Sequence, residues 1–421
     1  MSDPLAGRRI LVGISGSIAA VKLPQVVSAL VQRGAEVRCV LTPSAERLVS
    51  PVALASLSRH ACHLDADQWS HRAARPLHVE LAEWAELVLL APLSASSLGR
   101  WVHGMADTLL ASTLLATEAP VLAAAAMNTS MWMAPSVQAN WRQLQGLARV
   151  LPLGPADGLL ACDRLGAGRM AEPIQLLLAL ESLALWGWQR DWQGLRLLVT
   201  AGPTREPLDP ARCLTNPSTG TMGVMLAQAA RLRGAAVTLV HGPLSLDPLL
   251  LEGLQCVPVQ TAAELETALE AVQPAVDAIA MAAAVADHRR EQPSSHKTSK
   301  LDLEGTLAAG WQEVPDLLAG LVARRPPGQR ILGFAAHSGD VLSQARQTLA
   351  RKGCDLLFAN PIDQPGTGFG TSRNRGWLLE PGGGCEELGP AGKLAIAHQL
   401  LTALRPPGDG RRPLDRPAAD P

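Results

Sequence analysis

Tyrosine is absent from the 421-residue chain, and phenylalanine occurs only three times. Without a phenol, every mechanism that needs a tyrosyl group is excluded, a Tyr-x-x-x-Lys dehydrogenase among them. The scarcity of aromatics, most of which are the ten tryptophans, also argues against stacking platforms for single-stranded nucleic acid. Net charge is almost missing: 37 Lys and Arg against 38 Asp and Glu leave a formal −1. That disfavours a dedicated binder of nucleic acid or anionic membrane, whose affinity rests on a basic surface. No apolar run approaches the ~20 residues that span a bilayer; the longest, such as Ala119–Met127 and Ala278–Ala286, fall far short. The N-terminus carries no apolar core of signal-peptide length. Seven scattered cysteines with no Cys-x-x-Cys pair argue against a disulfide framework or a zinc site and fit a reducing cytosol. A cytoplasmic protein with neither nucleic acid nor membrane as partner is expected.

What is present is a large hydrophobic fraction, 47%, and a length that points to two or three domains. Arg9–Ile14 reads as a buried strand, Gly13-Ile-Ser-Gly-Ser-Ile-Ala19 as a glycine loop, and Ile18–Arg33 as a helix stopped by Gly34. Val37–Leu41 completes a β-α-β unit. The layout returns 200 residues later: strand Leu195–Thr200, helix Met222–Leu232, Gly234, strand Val237–Val240. Two such openings imply two α/β domains, with the boundary near Trp186–Gln193. Strand-like runs at Leu87–Ala91, Val121–Ala125, Ala278–Ala283, Ile331–Phe334 and Leu356–Ala359 alternate with helical stretches, which predicts parallel sheets. Residues 405–421, rich in Pro, Gly and charge, read as a disordered tail.

The glycine turn at Gly16-Ser17-Ile18-Ala19 joins a strand to a helix, where backbone N–H groups can hold a phosphate; such turns are also ordinary structural features. His78 precedes the buried stripe Leu81, Trp84, Leu87, and by itself reads as a core or capping histidine. Ser94 and Ser96 end one strand and Asn128 another, where ligands bind in α/β sheets; Asn128 offers both a donor and an acceptor or is a turn residue. Cys162 lies among Gly158, Gly166 and Gly168, which predicts a mobile loop carrying a proton donor or nucleophile, unless the thiol is there by chance.

Taken together, Gly-Ile-Ser-Gly-Ser-Ile-Ala, His-x-x-Leu-x-x-Trp-Ala, Ala-Met-Asn and Ala-Cys-(x)5-Gly-Arg-Met resemble the flavin-dependent phosphopantothenoylcysteine decarboxylases. The resemblance implies a flavodoxin-like fold binding FMN through Gly16, Ser17, Ile18, Ala19, Thr42, Ser94 and Met127. It implies that the cysteinyl thiol is oxidised to a thioaldehyde, that CO2 leaves, and that the resulting ene-thiol is reduced. His78 matches the active-site histidine, Asn128 the residue that binds the substrate carboxylate, and Cys162 the flap cysteine that supplies the last proton. The chain departs from the pattern at Ala125, Ser96 and the Cys162-Asp163-Arg164 flap.

The second half carries Ala201-Gly-Pro-Thr-Arg-Glu-Pro-Leu-Asp-Pro210, a proline-stiffened loop, and then Asn216-Pro-Ser-Thr-Gly220. Hydroxyls and N–H groups there suit an anion or an ordinary helix cap. Asp287 ends an apolar strand and can hold Mg2+, a ribose or a helix N-terminus. Lys297-Thr-Ser-Lys300 suits a loop closing on a triphosphate, or a solvated basic loop. With Pro315-Asp316, Gly333-Phe334-Ala-Ala and Lys352-Gly-x-Asp355, this half resembles the phosphopantothenate–cysteine ligase domain that bacteria fuse to such a decarboxylase. The resemblance runs collinearly through roughly residues 6–403. It implies a Rossmann-like second domain that uses CTP and Mg2+ to make an acyl-cytidylate of 4'-phosphopantothenate, from which cysteine displaces CMP.

By this resemblance Asn216 serves use of the acyl-cytidylate. Ala282, Ala283, Asp287, Lys297, Lys300, Pro315, Asp316, Phe334 and Lys352 bind CTP, with Asp287 facing Mg2+. The expected domains are 1–190 (decarboxylase), 191–404 (ligase) and the tail, in a homo-oligomer built, like relatives, as a dodecamer from trimers and dimers. Ser299, Thr348 and Thr221 stand where the family carries lysine, His337 where it carries Glu, and Val314 where it carries Asn. Each lost charge-assisted phosphate contact is worth ~1.5–3 kcal/mol, which predicts weakened CTP binding. Two other readings are a decarboxylase with a weakened or inactive ligase half and a catalytically silent FMN-binding regulator.

Overall fold

The computed structural model describes residues 3–70, 75–159, 163, 165–364 and 366–407. They fall into two compact units, Met1–Gln189 and Arg190–Pro421. Residues 408–421, most of the expected tail, lie outside the described part, as do Cys162 and Arg164.

In the first unit the strands are β1 (Arg9–Ile14), β2 (Glu36–Leu41), β3 (Cys62–His63), β4 (Leu87–Leu93), β5 (Val121–Ala125) and β6 (Val150–Leu153). They pair in parallel in the order β3-β2-β1-β4-β5-β6. All seven residues of β4 are buried, the pattern of a strand covered on both faces. The covering helices are α1 (Leu23–Gln32), α2 (Pro51–Ser58), α3 (Leu77–Trp84), α4 (Ala95–Val102), α5 (Leu109–Ala116), α6 (Thr129–Trp132), α7 (Pro135–Gln145) and α8 (Pro173–Trp186). This is a doubly wound, flavodoxin-like unit. One face of its core collects Leu11, Leu90, Trp101, Leu110 and Trp141.

The expected helix Ile18–Arg33 divides into a 3-10 turn, Ile18–Lys22, and α1. Pro24 has no N–H to give to the Ala20 carbonyl, and that carbonyl is met instead by the Leu23 N–H. A second departure concerns the glycines around Cys162. They predicted a loop, but β7 (Ala156–Leu159) and β8 (Leu165–Arg169) pair antiparallel as a hairpin.

The second unit opens with β9 (Arg196–Ala201), the ribbon β10 (Arg205–Asp209) and β11 (Arg212–Thr215), then α9 (Thr221–Leu232) and β12 (Ala236–His241). Next come β13 (Gln255–Pro258), α10 (Ala262–Val272), β14 (Ala278–Met281), β15 (His288–Arg290), α11 (Leu303–Ala308) and β16 (Trp311–Glu313). The chain ends with α12 (Leu317–Ala323), β17 (Arg330–His337), α13 (Val341–Lys352), β18 (Leu356–Pro361), β19 (Arg373–Leu379), β20 (Cys385–Gly392) and α14 (Lys393–Leu404). The main sheet runs β13-β12-β9-β14-β17-β18-β19-β20. It is parallel through β18, and its last two strands are antiparallel. The two glycine stops read from the sequence have one cause. Gly34 and Gly234 both follow a helix at positive φ, +85° and +95°, the left-handed stop that glycine adopts without strain. Among the described residues no helix is long and apolar enough to cross a membrane.

Candidate active sites

In the first unit the sheet order reverses between β1 and β4, so a crevice opens at their carboxyl ends. Ser15, which sequence reasoning passed over, ties the two strands there. Its hydroxyl donates to the Pro92 carbonyl at 2.7 Å and accepts the Ser94 N–H at 2.8 Å. Gly16 follows, and a Cβ on it would lie 2.4 Å from Ser44 Cβ, so the loop closes on the turn that Thr42 begins. Thr42 Oγ1 accepts the Ala45 N–H at 3.3 Å. Ser17 stands at the N-cap of the Ile18–Lys22 turn without using its side chain as a cap, and no acid lies in that first turn. The first N–H groups of such a turn have no acceptor within it. Bare amides, an unused hydroxyl and no competing carboxylate fit a phosphate group.

Ser94 and Asn128 follow the carboxyl ends of β4 and β5 on the same edge. Ser94 N-caps α4 by accepting the Ser97 N–H at 3.3 Å, and Asn128 N-caps α6 by accepting the Ser130 N–H at 2.8 Å; both therefore do the ordinary structural job as well. His78 is the second residue of α3. Among the described residues its buried Nδ1 has no hydrogen-bond partner. A buried unpaired nitrogen costs about 1–3 kcal/mol, so His78 is not the satisfied core histidine its surroundings predicted. Buried Met127 gives its N–H to the Gly168 carbonyl at 3.0 Å, which seats β8 beside Ala-Met-Asn. Added Cβ atoms on Gly166 and Gly168 would come within 2.9 Å of Thr129 and 2.3 Å of the Met127 carbonyl. Those glycines are required by close approach.

In the second unit a chain of contacts links residues far apart in sequence. Asn216 Nδ2 donates to the carbonyls of Ala284 and Val285, both at 3.2 Å. The hydroxyls of Thr200 and Thr204 accept the N–H groups of Ala283 and Ala286 at 2.9 and 3.0 Å. The Asp287 carbonyl takes the Val314 N–H at 2.9 Å, bringing Pro315-Asp316 beside the Ala282–Asp287 turn. Asp316 N-caps α12, accepting the Ala319 N–H at 3.1 Å, and its other oxygen takes the Lys352 ammonium. Burial pushes the Asp316 carboxyl up, but Lys352 and the Ala319 N–H outweigh it and hold the group below the usual carboxylate range.

Phe334 lies on β17 one residue past the Met281–Gly333 pair and meets Phe358 edge-on at 5.6 Å. Lys297 and Lys300 are exposed, as is the Asp287 side chain. Asp287 precedes a strand, β15, so it caps no helix. Among the described residues no three His, Cys, Asp or Glu side chains form a metal-binding group. A single exposed carboxylate fits Mg2+ only where nucleotide phosphates complete the shell. Among the described residues buried His337 Nε2 has no partner, and burial lowers the ring's pKa; it stays neutral at pH 7 and supplies no charge.

Two α/β units, each with polar groups gathered at the carboxyl edge of a parallel sheet, define a two-site enzyme architecture in which the first unit is a flavoprotein. Residues 1–184 match the family described as Flavoprotein, and residues 192–406 match the DNA/pantothenate metabolism flavoprotein C-terminal domain. The chain is 37% identical over 95% of its length to the coenzyme A biosynthesis bifunctional protein CoaBC of Bacillus subtilis, spanning 97% of that protein. It is 39% identical over 94% of its length to the Escherichia coli K12 protein of the same name, spanning 96% of that one. A crystal structure of the C-terminal domain of a CoaBC protein is also similar, with 31% identity, 50% of this chain and 94% of that chain covered, and a TM-score of 0.42. The chain belongs to the CoaBC family of bifunctional coenzyme A biosynthesis proteins.

Proposed function

We propose that the chain carries out two consecutive reactions of coenzyme A biosynthesis: CTP-dependent ligation of cysteine to 4'-phosphopantothenate, then FMN-dependent decarboxylation of the product to 4'-phosphopantetheine. One observation carries the reading: CoaBC relatives align along 95% of the chain and 97% of their own length, so neither half is missing. Ligation belongs to 191–404 and decarboxylation to 1–190. The substrates are small molecules, the setting is the cytoplasm, and the working form is a homo-oligomer.

In the ligase half the 4'-phosphopantothenate carboxylate attacks the α-phosphorus of CTP and pyrophosphate leaves; the cysteine amine then attacks the acyl carbon and CMP leaves. Activation is needed because a carboxylate is a poor electrophile. Lys297, Lys300 and Lys352 offset phosphate charge as point charges, Lys352 by sharing its ammonium between Asp316 and the nucleotide. Asp287 would hold Mg2+ together with the CTP phosphates, Phe334 and Pro315 line the nucleotide, and Asn216 holds the Ala284–Val285 turn against the acyl-cytidylate. Neutral Thr221, Ser299, Thr348 and His337 leave CTP affinity below that of a lysine-rich site.

In the decarboxylase half Gly16–Ala19, Thr42, Ser94 and Met127 hold FMN, which when bound supplies a two-electron acceptor and donor for the sulfur-bearing carbon. Asn128 holds the departing carboxylate. His78, with Nδ1 unpaired, holds or moves a proton at that atom. Cys162, which lies outside the described residues, gives the last proton; the described strands of its hairpin sit beside Met127 and keep water from the site.

The test is mass spectrometry of the purified chain with 4'-phosphopantothenate, cysteine, CTP and Mg2+. Accumulation of 4'-phosphopantetheine supports both activities. Phosphopantothenoylcysteine alone assigns the loss to the first half, and no product refutes the ligase assignment.

A further inference from the structure

The Lys297–Lys300 segment is held from a distant part of the chain. Asp209 ends β10, and its side chain is 0% exposed. One carboxylate oxygen accepts the Ala211 N–H at 2.7 Å. The other accepts Arg212 Nη1 at 3.1 Å and the Thr298 N–H at 3.2 Å. The same Arg212 nitrogen donates to the Thr298 carbonyl at 3.2 Å. Thr298 is therefore gripped at both backbone groups by one ion pair, 89 and 86 residues away in sequence. A further bond, from the Ser294 N–H to the Leu208 carbonyl at 3.0 Å, fastens the start of the segment. Lys297 and Lys300 stay exposed on either side of the gripped residue.

This arrangement does more than bury a carboxylate. A buried charge must be paired, and Arg212 alone would pair it. Here the carboxylate also spends a lone pair on a backbone N–H, and the guanidinium a proton on the matching carbonyl. The pair thus acts as a short strand edge for a stretch with no ladder of its own. Burial pushes the Asp209 carboxyl up, but the N–H donors and Arg212 hold it below the usual range, so the carboxylate is charged at neutral pH. Two flexible cations fixed through the residue between them lose less freedom on meeting an anion.

We propose that Asp209 is a positioning residue for ligation: by fixing the backbone at Thr298 it presents Lys297 and Lys300 together to the phosphates of CTP. The proposal rests on the ligase reading and deepens it.

Asp209→Asn tests it in the full chain. With its carbonyl on the Ala211 N–H, the new amide sets donors against the donors of Thr298 and Arg212. The KM for CTP is expected to rise on the order of tenfold, as for one charge-assisted contact, with kcat within about threefold of the parent. Thr298→Pro, which lacks the N–H, gives the same KM rise by a second route. Amide exchange around Thr298 quickens in Asp209→Asn without nucleotide. Both variants decarboxylate added phosphopantothenoylcysteine at the parent rate, which shows that the first unit is intact, and the near-parent kcat for ligation shows that the second unit has folded. A CTP KM within about twofold of the parent's in both variants overturns the proposal. So does a fall in kcat at unchanged KM. A parent chain that ligates nothing overturns the ligase reading and the proposal with it, whereas ligation insensitive to Asp209 overturns the proposal alone.

Discussion

Gly168→Ala probes how the hairpin beside Ala-Met-Asn contributes to decarboxylation. The new Cβ would lie 2.3 Å from the Met127 carbonyl oxygen and 3.3 Å from the Thr129 nitrogen. A carbon–oxygen contact needs roughly 3.3 Å, so β8 must withdraw by about 1 Å. The obstacle is backbone, which cannot rotate aside. Withdrawal breaks the 3.0 Å bond from the Met127 N–H to the Gly168 carbonyl, costing about 0.5–1.5 kcal/mol. Repacking adds about 1–3 kcal/mol. Together these shift the seated hairpin by about 1.5–4.5 kcal/mol, roughly 13- to 2000-fold in population. Decarboxylation of added phosphopantothenoylcysteine is expected to fall by at least about tenfold, while ligation by the same chain is unaffected. Gly154→Ala is the control, because its Cβ would meet only Trp141 Cζ2, at 3.9 Å. Parent-like decarboxylation by Gly168→Ala would refute the reasoning.

Three further outcomes are expected. Gly16→Ala sets a Cβ 2.4 Å from Ser44 Cβ and forces the glycine loop open at about 1–3 kcal/mol; the purified variant should lose flavin absorbance, and full flavin occupancy would count against the phosphate cradle. Asn216→Ala removes the two bonds to Ala284 and Val285, each worth about 1 kcal/mol. Ligation should fall at least about tenfold with decarboxylation intact, and parent-like ligation would exclude the role. Burial and then the nearby Arg233 push the His398 pKa down to about 3. The unfolded chain therefore takes up a proton below its ordinary value while the folded chain does not. Stability is full above that value and falls as pH drops toward 3, by about 1.6 kcal/mol between pH 6.5 and 5. His398→Leu should flatten this part of the urea-unfolding profile; parallel profiles for parent and variant would disprove the assignment.

Local order was legible in the sequence because it depends on near neighbours. The runs at Arg9–Ile14 and Val121–Ala125 are β1 and β5 to the residue. Gly34 and Gly234 announced two helix ends because only a left-handed residue makes that turn cheaply. The motifs also named Ser17, Asn128, Asn216 and Lys352 as candidates, since their residue types carry the chemistry. Tertiary structure decided which groups meet. The seat of β8 on Met127, the Asp316–Lys352 contact and the Asp209–Arg212 hold on Thr298 join elements tens of residues apart. Periodicity records which face of one element is apolar, not which distant backbone will supply the missing partner. Glycine spacing around Cys162 thus read as a loop, whereas close approach to another strand's end makes it a hairpin.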